Sequence, residues 1–304
     1  MEIFKKMWAV ARMNFCHWLK DIRVQFVFIC MACMVVYYVM PVTKVGLSMG
    51  KTSTPFILPA LMKEGNVSIG TPKIVLSIGM LLLFCDAPFW NPVSPYMVIR
   101  SKRRGWWMGE CLYIVMAAFF YVLFLTVLST AVIIPVSSLS DDWGSAIRYV
   151  TFETDKLSFE ELIEYNETYK IFVMPSRSVV QYLYPLQTQI YCMVAMWGCY
   201  SMLGLLIYLI SLKSRSISFG MGVAAVLVFL DPLMIWCFGM SRHSKPEFLL
   251  SPVSWMSPEN LDLVHRANCV SMPYALGMYV LLCLLLIALI SRCSKRTEIN
   301  FVTD

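Results

Sequence analysis

"CLYIVMAAFFYVLFLTVLSTAVII", residues 111–134, runs for 24 residues without a charge. A helix over it would be about 36 Å long at 1.5 Å per residue, enough to cross the roughly 30 Å hydrocarbon layer of a bilayer. The run therefore predicts a transmembrane helix, and the composition agrees. The 304 residues are 59% hydrophobic and 14% charged, with a mean hydropathy of +0.66, whereas soluble domains carry about 25% charged residues. An all-α, polytopic membrane protein is expected. The net charge of +6 is modest and no basic arm or RNA-binding signature occurs, so nucleic acid is not an expected partner.

Working outward, five further apolar runs complete a set of six spans. "VQFVFICMACMVVYYVM" is 24–40 and "IVLSIGMLLLFCDAPFW" is 74–90. A fourth lies at about 189–212, a fifth at 218–240, and "YALGMYVLLCLLLIALI" is 274–290. "TPFILPALM", 54–62, is too short and too Pro-broken to cross, and reads as interfacial or re-entrant. Six spans put both termini on one side. The segments on that side hold 14 of the 25 Lys and Arg in less than half the length of those opposite. The positive-inside rule makes both termini cytoplasmic. The first span follows a charged leader and reads as an uncleaved anchor. The whole of 1–304 is one transmembrane domain in a multi-pass protein of the plasma membrane.

"VGLSMGKTST", 45–54, imitates a phosphate-binding loop. Gly50, Lys51 and Thr52 fit the end of G-x-x-x-x-G-K-[ST], but Val45 stands where the first glycine belongs, and no strand–loop–helix context is in sight. It reads as a Gly/Ser/Thr turn leaving the membrane. The eleven cysteines fall mostly inside apolar runs, where Cys acts as a small hydrophobe, and no paired C-x-x-C is present. The histidines, His17, His243 and His265, are scattered. Neither a metal site nor a catalytic centre is expected, so the chain is not read as an enzyme.

Between the spans, 1–23 places Ile3, Trp8, Val10, Met13, Phe15 and Trp18 among Lys5, Lys6, Arg12, Lys20 and Arg23. This predicts an amphipathic helix in the cytoplasmic interface. The connector 91–110, "NPVSPYMVIRSKRRGWWMGE", is expected to hold a short helix over Tyr96 to Arg104. Arg100, Lys102, Arg103 and Arg104 would keep it inside, and Trp106 and Trp107 would anchor the next span at headgroup level. The acidic segment 135–188 is an extracytoplasmic loop with a helical look, and Asn66-Val67-Ser68 and Asn166-Glu167-Thr168 match glycosylation sequons. Small residues Gly220, Gly222, Ala224 and Ala225 suit close helix contact. Three acids touch the spans. Asp86, near the Arg cluster, and Glu110, at the start of span three, read as structural. Asp231, followed by Pro232, either lines a substrate path or bonds to a neighbouring helix.

The amphipathic leader, six spans, internal termini and above all "VIRSKRRGWWMGECLYIVMAAFFYVLFL", 98–125, resemble the permease subunits of bacterial ABC-2 type ABC transporters. The resemblance implies a pathway formed with a second permease chain, as homo- or heterodimer. Separate cytoplasmic ATPase subunits would carry ATP and Mg, leaving this chain no cofactor. The connector, with Tyr96, Ile99, Arg100, Lys102, Arg103 and Arg104, would transmit nucleotide-driven closure, usually for export. The long 41–73 segment and the large acidic loop depart from that pattern. The other readings are a proton-coupled secondary carrier acting through Asp231, a membrane-embedded enzyme, and a non-transport immunity or structural protein. The spans show only one clear helix break, at Asp231-Pro232, and no intramembrane His.

Overall fold

Apolar helices hold nearly everything in the computed structural model, which describes residues 2–18, 20–63, 72–89, 94–138, 142–153, 175–214, 216–238, 251–262 and 270–296. No strand occurs among them, only isolated bridges at Ser53–Ser137 and Leu261–Val270. The helices are α1 (Glu2–Trp18), α2 (Ile22–Met49), α3 (Leu58–Leu61), α4 (Pro72–Leu83), α5 (Ser94–Ile133), α6 (Gly144–Arg148), α7 (Arg177–Tyr182), α8 (Pro185–Ser214), α9 (Ile217–Phe238) and α10 (Met272–Arg296). Four helical stretches, 22–49, 94–136, 185–214 and 272–294, are long and apolar enough to cross a membrane, and two shorter apolar helices cover 72–83 and 218–233. The sequons, His243, His265, Cys269 and the helical-looking part of the acidic loop lie outside the described residues.

The expected first span, 24–40, is too short. Helix α2 runs through Pro41 to Met49, because the apolar sequence on both sides keeps the helix going past the one backbone donor that proline lacks. Asp21 caps its start by accepting from the Arg23 N–H. Gly50, at φ 61°, closes its end in the left-handed conformation that glycine adopts without strain, and Lys51 N–H bonds to Gly46 O at 2.9 Å. The nucleotide-loop lookalike is thus the last turn of a helix and its cap. Lys51 lies 3.5 Å over the Tyr149 ring.

The expected second span, 74–90, is not one helix. Helix α4 has 12 residues, about 18 Å at 1.5 Å per residue. The chain then turns through 84–89, where Ala87-Pro88-Phe89 cannot continue it and Phe89 takes a φ of 59°.

Segment 54–62 is buried rather than interfacial. Ile57, Leu58, Leu61 and Met62 are fully covered, and Leu58 N–H donates to Gln189 Oε1 on α8. Around it, Ser53 pairs with Val136 and Ser138, Ala146 N–H bonds to Thr52 O, and Trp143 Nε1 donates to Leu183 O. Tyr191 of α8 reaches the carbonyl of Trp255. Segments 51–63, 136–138, 142–153, 175–184 and 251–262 therefore gather at one end of the bundle. Helix α1, the 84–89 turn and the foot of α5 gather at the other.

Helix α8 is the central post, packing against α5, α9 and α10. Gly220 of α9 sits hard against Ile207 O and Ser211 of α8, whereas Gly222 faces open space, so the small-residue start of α9 makes a seam within the chain at Gly220. Outward faces are apolar. Phe26, Ile29 and Tyr37 on α2, Val127 on α5, and Leu281, Leu284 and Leu285 on α10 are exposed, as is proper to helices surrounded by lipid or by other helices.

Candidate functional site

At the foot of α5, Lys102 adopts φ 60°, ψ 157° and splits the helix into Ser94–Ser101 and Arg103–Ile133. Ser101 Oγ donates to Met97 O at 2.6 Å and closes the short piece. Tyr96 and Ile99 are 75% and 78% exposed, and Arg100, Lys102 and Arg104 are exposed with them. The short helix thus stands out from the bundle while remaining one break away from its longest apolar helix. Arg103 points inward. It is half-buried, and its Nε and Nη2 find no hydrogen-bond partner among the described residues. Trp106 and Trp107 are 2% and 7% exposed, so they anchor against the protein rather than at headgroups. The reason lies in α1, which crosses α5 at Gly105 and Gly109 and covers this turn. A Cβ on Gly109 would lie 2.6 Å from Val10 Cβ and 2.9 Å from Met7 O.

Helix α1 is amphipathic, with its face divided. Val10, Ala11 and Asn14 are buried on α5, while Ile3, Phe4 and Trp8 are exposed near its free end. Expected to sit at a helix N-terminus beside arginines, Glu110 is instead two turns inside α5 and completely buried, since the helix already runs from Arg103. Its partner is Asn14, whose Nδ2 donates to Glu110 Oε2 at 2.8 Å. Asp86 bonds to Arg23 rather than to the 100–104 cluster. Arg23 also grips Asp21. Burial disfavours the Asp21 carboxylate, but its bonds with the side chain and backbone of Arg23 outweigh this and hold its pKa below the usual carboxylate range.

Asp231 is buried at the other end, and it is paired. Lys73 Nζ, from the first turn of α4, donates to Asp231 Oδ2 at 2.5 Å, and both side chains are 1–2% exposed. Ser251 Oγ donates to Asp231 Oδ1 at 2.8 Å, and Lys73 Nζ also reaches Ser257 Oγ at 3.2 Å. Both carboxylate oxygens are thus engaged, and α4, α9 and segment 251–262 are tied at one point. Lys73 does not stand out in the sequence, where it is one of 25 basic residues. Its only signal was its place at the mouth of an apolar run. Among the described residues no group of His, Cys, Asp and Glu could hold a metal ion. No family model, no curated protein and no solved structure matches this chain.

Proposed function

We propose that the chain is the membrane-spanning permease subunit of an ATP-binding cassette exporter, working with a second permease chain and with separate cytoplasmic ATPase subunits that carry ATP and Mg. The observation that carries this reading is the short helix Ser94–Ser101, exposing Tyr96, Ile99 and Arg100 and joined to the longest apolar helix through the break at Lys102. A push on such a piece is delivered straight to the foot of α5, and α1, locked onto α5 at Gly109, moves with it. A hinge at one residue beside a rigid element is the usual way to convert a partner's closure into helix motion.

In the proposed topology α2, α4, α5, α8, α9 and α10 cross a plasma membrane in turn, with α4 and its 84–89 turn as the short member. Both termini and the connector face the cytoplasm. The sorting of connecting segments to two opposite ends supports this. The buried ion pair of Asp231 supports a structural role for that acid over proton coupling, because neither of its oxygens is open.

The test is purification of the full chain from its native membrane in mild detergent. Recovery of a stoichiometric cytoplasmic ATPase is expected. Its reproducible absence, with the chain folded, would overturn the proposal.

A further inference from the structure

Helix α1 carries two neighbouring stripes. At 3.6 residues per turn Phe4, Trp8 and Phe15 share one line along it, and Lys5 and Arg12 stand beside that line. Phe4 is 61% exposed and Trp8 46%. Phe15 meets Phe120 of α5 edge to face at 5.4 Å, and Phe119 and Phe120 are exposed within the apolar run 111–134. The apolar stripe of α1 thus continues into the outward face of α5, and whatever covers that face reaches Trp8 and Phe4. Charge at this end is one-sided. Residues 2–18 and 94–104 hold seven Lys and Arg against a single acid, Glu2, whereas the segments gathered at the opposite end hold four of each sign. Glu2 accepts from Lys6 Nζ at 2.7 Å. That bond, with a smaller contribution from Lys102, holds the Glu2 carboxyl below the usual carboxylate range. A Cβ on Gly105 would lie 3.3 Å from Lys6 Cβ, so the exposed cations Arg100, Lys102 and Arg104 belong to the same surface as Lys5 and Arg12.

We infer that this face of α1 binds anionic phospholipid, with acyl chains against Phe4 and Trp8 and the negative headgroup on Lys5 and Arg12. An exposed apolar stripe flanked by cations is the arrangement that seats a helix at the boundary of headgroup and chain. Each Lys or Arg near an anionic lipid surface strengthens binding about fivefold. A zwitterionic headgroup has no net charge to set against the surplus cations. An acidic protein partner would meet the cations, but it would not account for an apolar stripe that runs on into the outward face of a membrane-length helix. The sequence placed α1 at an interface; the structure adds which stripe meets the chains and which lipid charge the other selects. The inference rests on the proposed membrane topology, and no ATPase enters it.

The test reconstitutes the full chain in phosphatidylcholine vesicles doped with phosphatidylglycerol or phosphatidylcholine spin-labelled on the acyl chain. Electron paramagnetic resonance separates lipid held at the protein from bulk lipid. Phosphatidylglycerol should associate severalfold more strongly than phosphatidylcholine, and about 0.5 M NaCl should bring the two close together by screening. Lys5→Gln/Arg12→Gln should at least halve the preference, while Lys5→Arg/Arg12→Lys keeps it. Both pairs alter only exposed side chains, so an unchanged circular dichroism spectrum certifies the fold. Equal association of the two lipids with an inserted chain would overturn the surface. So would a preference untouched by Lys5→Gln/Arg12→Gln, which would leave this face of α1 to a protein partner. Because the vesicles hold no ATPase, either result leaves the exporter reading standing, and failure to recover an ATPase from native membranes leaves the lipid surface standing.

Discussion

Replacing Asp231 by Asn keeps the shape of the side chain and removes its charge from Lys73. Lys73 Nζ sits 2.5 Å from Asp231 Oδ2, with the two side chains 2% and 1% exposed, so little water screens the pair. Removing one partner of such a pair costs about 3–5 kcal/mol, because the remaining charge stays buried without its counter-ion. The Ser257 hydroxyl at 3.2 Å is a dipole and offsets only part of that. Asp231→Asn and Lys73→Met should therefore each lower stability by about 3–5 kcal/mol. The double variant Lys73→Met/Asp231→Leu removes both charges together and should fall within about 2 kcal/mol of the parent, giving a strongly favourable coupling in the cycle. The assay is reversible unfolding by SDS in mixed micelles, followed by circular dichroism. Single variants that cost less than about 1 kcal/mol, or a double variant as costly as the two singles added, would refute a tightly coupled buried pair.

Three further outcomes follow from the same geometry. Gly109→Val should drive α1 off α5, since even a Cβ would stand 2.6 Å from Val10 Cβ; a loss of about 1–3 kcal/mol is expected, with new protease cleavage within 2–18. The triple variant Tyr96→Ala/Ile99→Ala/Arg100→Glu alters only exposed side chains, so its unfolding should stay within about 1 kcal/mol of the parent while recovery of ATPase subunits and substrate-stimulated ATP turnover fall severalfold. For Asp21, a folded pKa below its unfolded value means stability that is present above the unfolded pKa and lost as pH falls through the folded one. Asp21→Asn should therefore lower stability by under about 1 kcal/mol near pH 7, and unfolding titrations should show that difference shrinking below about pH 4.

That the chain builds helices long and apolar enough to cross a membrane was legible because it rests on uninterrupted length, and 111–134 has that to excess. Helix ends were not. The apolar run ends the first span at 40, but the helix continues through the donor that Pro41 lacks, and the left-handed cap at Gly50 is the true end. The second span looked continuous because most of its residues are apolar, yet the turn at 84–89 buries Phe84, Ala87 and Phe89 while leaving Asp86 at the surface on Arg23. Hydropathy does not separate the two cases. Asp231 stood out as an acid inside an apolar run. Its partner did not, because Lys73 lies 158 positions away along the chain and looks like any basic residue at a helix start. The same holds for Asn14 and Glu110, 96 positions apart. Trp106 and Trp107 fit the pattern of headgroup anchors, but α1 folding back over α5 covers that turn. Such a contact depends on Gly105 and Gly109, whose meaning appears only once both helices are placed.

Tyr96 offers the most direct test of the central claim, that the helix before the Lys102 break docks onto an ATPase. Replaced by a photo-crosslinking amino acid and irradiated in native membranes, Tyr96 should form a covalent product with a cytoplasmic ATPase subunit, at a yield that changes when ATP is supplied. The same residue at exposed Leu284 should give no such product. Crosslinks from Tyr96 to lipid alone, with the chain correctly inserted, would contradict the account.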